Sequence, residues 1–112
     1  MVLGIFFLSH WIGDFVLQTT RMALNKGNSI KWLTLHVLTY ISVMLVFALF
    51  IFDWQTALQF CGLNFALHWV TDFFTSKLSS KYRDQPRIFF PILGFDQFIH
   101  AICIIYTVEW YS

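Results

Sequence analysis

Long apolar stretches alternate with short polar segments along the whole chain. A helix that crosses a membrane needs about 20 mostly apolar residues, because the hydrocarbon layer is about 30 Å thick. Four stretches have this length, at about residues 2–20, 32–52, 55–76 and 91–110. We expect Pro91 to begin the fourth, since proline suits the first turn of a helix. The pattern predicts an all-α fold, a four-transmembrane-helix bundle in which residues 1–112 form a single integral membrane domain.

Composition supports a membrane protein and excludes several other classes. Hydrophobic residues make up 58% of the chain and charged residues 12%, against about 45–50% and about 25% in an average soluble domain. Mean hydropathy is +0.66. These values exclude a disordered chain, a nucleic-acid-binding protein with a basic face, and a water-soluble globule. The two cysteines, Cys61 and Cys103, are too few for a disulfide framework.

The basic residues indicate which side of the membrane each loop faces. All seven lysines and arginines lie in two loops, residues 21–31 and 77–90. Because cytoplasmic loops carry an excess of Lys and Arg, both loops are predicted to be cytoplasmic and both termini extracytoplasmic. A tight turn at Asp53 joins the second and third stretches on the outer side. The start of the chain lacks a basic segment and a cleavage site, so we expect no removable signal peptide.

A short motif occurs twice, as HWIGDF at residues 10–15 and as HWVTDF at residues 68–73, with four identities. Both copies lie in stretches that run from outside to inside. They predict an internal two-helix repeat whose halves are related by an axis along the membrane normal. Chance is the alternative, because apolar segments use few residue types. Matches of His, Trp and Asp in a fixed register favour a true repeat.

Ionisable side chains inside the predicted spans form the candidate site. An aspartate near the middle of a spanning helix costs about 2.5–3.5 kcal/mol on insertion scales, which marks such residues as functional. Three His/Asp pairs are each four residues apart and therefore share a helix face: His10 with Asp14, His68 with Asp72, and Asp96 with His100. The order is reversed in the fourth stretch, which runs the opposite way. All three aspartates are therefore expected nearer the cytoplasm, with the histidines one turn deeper.

Imidazole and carboxylate groups together are typical ligands of a divalent metal such as Zn, Mn, Fe or Ni. The candidate metal ligands are His10, Asp14, His36, His68, Asp72, Asp96 and His100. Gln18 and Asn64, each four residues from one of them, are supporting polar residues. The number of ligands fits two divalent ions, or one ion with carboxylates that orient its histidines. Two alternatives remain: His–Asp ion pairs for a proton relay or pH sensor, and polar clasps between helices.

The polar motifs also carry a family resemblance. They are the segment at residues 10–18 followed by Lys26, the early His36, Asn64 before the second copy of the motif, and residues 96–100 with Gln97. In these motifs the chain resembles the family called domain of unknown function 3307 (DUF3307), which consists of small bacterial and phage membrane proteins. The resemblance covers nearly the whole chain. It implies a multi-pass protein of the bacterial inner membrane, adds Gln97 as a supporting polar residue, and implies no activity.

We expect an intramembrane metal-dependent hydrolase that acts on a lipid or on a lipid-linked phosphate or ester. A bound divalent ion lowers the pKa of its water to about 7, and Asp14, Asp72 or Asp96 is the candidate catalytic ligand or general base. Transport of metal ions or protons is a second hypothesis, disfavoured by the apolar outer segments. A non-catalytic, oligomeric membrane module with a structural metal is the third. The expected partners are the lipid bilayer, a lipid substrate and further copies of the chain, with no nucleic acid.

Overall fold

The structure is a computed structural model that describes residues 1–112. It contains five α-helices and no strand, which confirms the predicted all-α class. The helices are α1 Val2–Trp11, α2 Thr20–Asn25, α3 Ile30–Ile51, α4 Trp54–Lys81 and α5 Pro86–Tyr111. Helix α1 continues directly into a π-helical segment, Ile12–Val16, which we call the π turn.

The long helices pack around a shared interior. Helix α1 packs against α3 and α5, and α4 packs against the same two helices. Helices α1 and α4 therefore face each other across the interior. The first copy of the repeated motif begins at the end of α1 and continues into the π turn, and the second copy lies in α4. The rings of His10 and His68, the first residues of the two copies, have centroids 6.2 Å apart.

The interior has an apolar half and a polar half. The apolar half consists of Phe6, Tyr40, Met44, Ala48, Ala57, Phe60, Cys61, Ile104 and Val108. The rings of Phe6 and Phe60 lie at its centre with centroids 4.7 Å apart. The polar half holds the buried histidines and aspartates, so that the buried side chains include twelve polar or charged residues beside eleven hydrophobic ones. Few interiors of this size carry so many ionisable groups, because each must be paired or bound to a metal.

The outer surface is apolar over much of its area. Phe50 is 85% exposed and Trp110 81% exposed. Helices α3 and α5 are each long and apolar enough to cross a membrane. The apolar helix of residues 2–16 is shorter, and α4 is less apolar because it carries Asn64, His68 and Asp72. Two apolar helices and an apolar exterior are compatible with association with a membrane.

The first helical segment is shorter than predicted. It was expected over residues 2–20, but the helix ends at Val16. The chain then leaves the helical path, and the Thr19 hydroxyl accepts a hydrogen bond of 3.2 Å from the backbone N–H of Met22. Because threonine is a favoured helix N-cap, this bond begins a new helix, α2, at Thr20, and the rest of α2 lies in the segment 21–31 that was expected to be a loop.

The fourth long helix begins earlier than predicted. It was expected over residues 91–110 with Pro91 in its first turn, but α5 begins at Pro86 and contains Pro91 in its interior. Pro86 occupies the first-turn position that favours proline. Pro91 follows one turn later and removes a single helical hydrogen bond, which α5 tolerates.

The connection between α4 and α5 is also shorter than expected. The third stretch was predicted over residues 55–76, whereas α4 extends to Lys81. Only residues 82–85 remain outside helices in the predicted loop 77–90. Of the basic residues of this segment, Lys77 and Lys81 therefore lie in the last turns of α4 and Arg87 in the first turn of α5, and Arg83 lies in the connection.

The turn before α4 is tight, in agreement with the sequence. The Asp53 carboxylate accepts a hydrogen bond of 2.9 Å from the backbone N–H of Thr56 and caps α4. Hydrogen bonds from the Thr56 side chain and backbone hold the pKa of Asp53 below its ordinary value. This cap begins α4 after only two intervening residues, Phe52 and Asp53.

Candidate metal centre

Seven buried histidines and aspartates meet in the polar half of the bundle. Each of the seven predicted ligands has an imidazole nitrogen or carboxylate oxygen within 3.5 Å of another member. They come from α1, the π turn, α3, α4 and α5. None is more than 9% exposed. Their spacing of four residues brings the members of each pair together because it corresponds to about one helical turn.

Four atoms at the centre form what we call the four-ligand group: Asp14 Oδ1, His36 Nε2, His68 Nε2 and Asp72 Oδ2. The His36 nitrogen lies 2.9 Å from the Asp14 oxygen and 3.0 Å from the Asp72 oxygen. The corresponding distances from the His68 nitrogen are 3.6 and 3.2 Å. The two nitrogens are 3.3 Å apart.

The four-ligand group fits a tetrahedral metal ion. Ligand atoms at about 2.0–2.1 Å from a tetrahedral ion lie about 3.3–3.4 Å from each other. The five measured separations range from 2.9 to 3.6 Å. The oxygens Asp14 Oδ1 and Asp72 Oδ2 accept no well-aligned hydrogen bond although both are buried. Oxygens that are buried, close to two imidazole nitrogens and free of hydrogen bonds are suited to a cation. The group can therefore hold a metal ion.

The charge of the cluster supports the same interpretation. The three buried carboxylates carry three negative charges when ionised, and the nearest ammonium group is Lys26 Nζ, 3.7 Å from Asp72 Oδ2. With neutral imidazoles, the balance is two negative charges in a buried site. One divalent cation, or two protonated histidines, neutralises it.

A second group of possible ligands adjoins the first. It consists of Asp14, Asp96 and His100, so that Asp14 belongs to both groups. His100 Nε2 lies 3.0 Å from Asp72 Oδ1 and 3.2 Å from Asp96 Oδ1. The Thr75 hydroxyl donates a hydrogen bond of 2.5 Å to Asp96 Oδ1. Helical bundles that bind two metal ions use shared carboxylates of this kind.

His10 lies at the edge of the cluster, outside both groups. Its Nε2 is 2.8 Å from Gln97 Oε1, and its Nδ1 is 3.3 Å from the Tyr40 hydroxyl. The Gln97 amide in turn donates hydrogen bonds to Asp14 Oδ2 at 3.2 Å and to Asp96 Oδ2 at 3.0 Å. Gln97 thus orients the carboxylates of Asp14 and Asp96, and His10 contacts Asp14 both through Gln97 and directly, with its Nε2 3.5 Å from Asp14 Oδ2.

Stacking between aromatic rings orients the imidazole of His68. The Tyr40 ring stacks on His68 with centroids 4.0 Å apart, and the His100 ring stacks on His68 at the same distance. Two rings so close must lie on opposite faces of His68, which holds its Nε2 towards the carboxylates. The Nδ1 atoms of His36 and His68 have no hydrogen-bond partner, unlike most metal-binding histidines.

A cavity of about 260 Å³ connects the cluster to the basic end of the bundle. Asp72, Asp96 and Thr75 line its inner wall, and Gln18 and Lys26 line the part nearer the surface. Gln18 Oε1 is buried without a protein partner, so the cavity contains a polar atom that a water molecule or a ligand can satisfy. Asp14 does not line this cavity.

Asn64 lies apart from the cluster. Its amide donates hydrogen bonds to the Phe60 carbonyl at 2.9 Å and to the Thr107 hydroxyl at 3.1 Å. It therefore links α4 to α5 and has no hydrogen bond to any of the seven residues.

Three residues of the centre were not among the predicted site residues. Tyr40 and Thr75 follow His36 and Asp72 by four and three residues, so helical spacing could have identified them. Lys26 appeared only among the motifs of the family resemblance, and helical spacing could not place it near the cluster, because its approach depends on the path of the chain between α2 and α3.

The comparisons with known proteins concern the whole chain. Neither the curated proteins nor the solved structures give a significant match. One family model, described as protein of unknown function (DUF3307), matches residues 2–112. The match confirms the resemblance noted in the polar motifs, and the chain belongs to the DUF3307 family.

Proposed function

We propose that this protein spans the membrane four times and binds a divalent metal ion in the cytoplasmic half of the bilayer. Helices α3 and α5 satisfy the length and apolarity of a span. Helix α4 and residues 2–16 pack beside them, and their buried polar groups explain why they are less apolar or shorter. The seven basic residues lie at one end, which by the positive-inside rule is cytoplasmic, so both termini are extracytoplasmic.

The repeat is part of the same proposal. The two motif copies lie on opposite sides of the interior, and both contribute to the four-ligand group. The first copy contributes Asp14, and the second contributes His68 and Asp72. A two-helix unit used twice supports such a central site, because an axis between the halves brings equivalent side chains together. The first copy differs in that its aspartate lies in the π turn.

The single observation that carries the metal assignment is the geometry of the four-ligand group. Four nitrogen and oxygen atoms from three long segments lie at separations typical of ligands around one ion. Zn, Mn, Fe and Ni all accept imidazole and carboxylate ligands, and two nitrogen with two oxygen ligands suit Zn best when the geometry is tetrahedral. The polar-clasp alternative is less well supported, because clasps in membranes contribute only about 0.6 kcal/mol each on average.

We further propose hydrolysis of a lipid-borne ester or phosphoester as the reaction. A metal held by the four-ligand group would polarise a substrate oxygen or activate a water by expanding its coordination to five, since the four side chains already fill a tetrahedral site. Asp96 is the best-placed general base, since it lines the cavity and its carboxylate is oriented by Thr75 and Gln97. Asp14 and Asp72 then serve as ligands. Hydrolysis adds the water hydroxyl to the acyl or phosphoryl group and its proton to the departing alcohol oxygen.

Transport is the less well supported alternative. A transport pathway continues across the membrane, whereas the bundle beyond the cluster is filled by side chains such as Phe6, Met44 and Phe60, each completely buried. The cavity reaches the cluster from the basic end only. This arrangement supports a site that is accessible from one side of the membrane only. In a single copy of the chain, such a site favours catalysis or a structural metal over transport. A pathway between subunits of an oligomer is the form of transport that remains.

The test is turnover by the metal-loaded protein. Protein in detergent, loaded with Zn²⁺ or Mn²⁺, is incubated with a panel of phospholipids, and released phosphate and fatty acid are measured. We expect metal-dependent turnover that Asp96→Asn lowers at least 100-fold while the metal content stays unchanged. Ser79→Ala, which changes another residue lining the same cavity, is the control and keeps most of the turnover. Bound metal without turnover on any lipid would favour the structural module, and metal-dependent flux into liposomes would favour transport.

A further inference from the structure

A second, larger cavity lies at the basic end of the bundle, next to the one that reaches the metal centre. It has a volume of about 650 Å³ and lies between the turn that precedes α3 and the last turns of α4. Four basic side chains line it, Lys26, Lys77, Lys81 and Arg83, and no acidic side chain does. Typical ligand pockets have volumes of about 300–1,000 Å³, so this cavity accepts a small ligand. We call it the basic cavity.

The walls of the basic cavity are held in place by close packing. A Cβ atom at Gly27 would lie 2.6 Å from the Ser76 carbonyl oxygen and closer still to the Ser80 hydroxyl. Only glycine therefore lets the turn lie directly on α4. The guanidinium of Arg83 donates hydrogen bonds to the Leu24 carbonyl at 3.5 Å and to Ser80 Oγ at 3.3 Å. The cavity is thus formed by fixed backbone and not by a loose loop.

Two of the cations contact neutral aromatic rings. Lys77 Nζ lies 3.8 Å from the centroid of the Phe73 ring, and Lys81 Nζ lies 5.4 Å from that of Tyr82. Cation–π contacts position an ammonium group without cancelling its charge. Lys26 is the exception, because Asp72 Oδ2 lies 3.7 Å from its Nζ. At least three positive charges therefore face the cavity without a carboxylate partner.

The start of α3 adds polar donors. Ser29 caps this 22-residue helix, and Ile30 and Ser29 both line the cavity. The first N–H groups of a helix have no partner within it and favour an anion, as does the positive end of the helix dipole. Asn28 and Ser80 supply an amide and a hydroxyl in the same wall.

We propose that the basic cavity binds a phosphate group. Several uncancelled cations, the positive end of the α3 dipole and hydroxyl and amide donors in one concave site match the charge and the acceptor oxygens of phosphate. The phosphate comes from a lipid headgroup or from a soluble phosphate, and both present the same oxygens. Lys26 and Arg83 line both cavities, which places the bound phosphate beside the entrance to the metal centre. Binding here does not require the proposed hydrolase activity or a bound metal.

The experiment measures binding to EDTA-treated protein, so that its result does not depend on the metal centre. Inorganic phosphate is titrated calorimetrically into protein in phosphatidylcholine nanodiscs. In a second arm, phosphatidic acid in the nanodiscs competes with the titrant or is detected by native mass spectrometry. Binding of inorganic phosphate indicates a soluble source, and binding of phosphatidic acid alone indicates a lipid headgroup. Either result supports the site.

Two double variants with the same change in charge separate this site from general attraction. Lys77→Gln/Lys81→Gln removes two cations from the basic cavity and is expected to weaken binding about 30-fold, at about fivefold per charge. Lys31→Gln/Arg87→Gln removes two exposed cations at the same end that do not line the cavity, and is expected to change binding less than threefold. If the first double variant does not fold, Lys81→Gln alone is expected to lose about fivefold. No binding in either arm, or equal losses in both double variants, would overturn the proposal.

Discussion

The loss of one imidazole from the four-ligand group gives the most informative prediction. His36 is completely buried, and its Nε2 lies 2.9 and 3.0 Å from the two carboxylate oxygens of the group. His36→Ala removes this nitrogen and leaves a space of the size of an imidazole ring. His10 is the matched control: it is a buried histidine of the same cluster that belongs to neither ligand group.

The expected magnitude follows from the number of ligands. Structural zinc sites with four ligands bind with about 10–16 kcal/mol at neutral pH, or about 2.5–4 kcal/mol for each ligand. His36→Ala should therefore weaken metal binding about 100- to 1,000-fold. His10 orients Asp14 through Gln97 and through its own contact of 3.5 Å with Asp14 Oδ2, and the loss of such an orienting partner weakens binding about 10-fold. The two variants should differ by at least one order of magnitude.

The assay is competition for Zn²⁺ between the protein and a chromophoric chelator in detergent. Circular dichroism confirms the helical content of each variant. Millimolar imidazole should restore part of the affinity of His36→Ala, because the free ring can occupy the vacated space and supply the nitrogen. Equal losses in His36→Ala and His10→Ala, or full affinity in a folded His36→Ala protein, would refute the assignment of His36 as a ligand.

Three further predictions concern other parts of the chain. Asp53→Ala should lower the melting temperature at neutral pH, because it removes the cap of α4. Capping lowers the pKa of Asp53, so the stabilisation by its carboxylate is complete above about pH 4 and is lost as the pH falls further. The melting curves of variant and wild type should therefore converge in acid. Gly13→Ala should reduce the free energy of unfolding by about 1–3 kcal/mol, since its Cβ would lie 3.0 Å from Tyr40 Cα. In the same denaturant titrations Gly62→Ala, with nothing within 4 Å of its Cβ inside α4, should raise the free energy of unfolding by about 0.5–1 kcal/mol. Lys26→Met should tighten divalent-metal binding in the chelator assay, because it removes the ammonium group nearest the carboxylates; weaker binding would contradict the charge balance.

The site was more predictable from the sequence than the helix boundaries were. Residues four apart share a helix face whatever else the chain does, so the pairing of His68 with Asp72 and of Asp96 with His100 followed from spacing alone. Apolarity also identified the segments that contain them. The sequence did not predict which atoms form the four-ligand group, because their positions depend on how the helices are rotated about their axes.

The remaining differences arise where local chemistry competes with apolarity. Apolarity alone predicts a first helix that extends to residue 20, but the Thr19 cap begins a new helix at Thr20. Pro86 and Pro91 are both suited to a first helical turn, and the choice between them depends on packing. The approach of Lys26 to Asp72 is a contact between residues 46 positions apart in the chain, which no local pattern reports.

The most direct test of a metal centre in this bundle is the metal content of freshly purified protein. Inductively coupled plasma mass spectrometry is applied to wild type and to His68→Ala, which lacks one nitrogen of the four-ligand group. We predict about one divalent ion per folded wild-type chain, the number that balances two negative charges, and less than about one tenth of that in the variant. Folded wild type that retains no divalent ion, even after incubation with Zn²⁺ or Mn²⁺, would contradict the account and leave protonated histidines as the balancing charges.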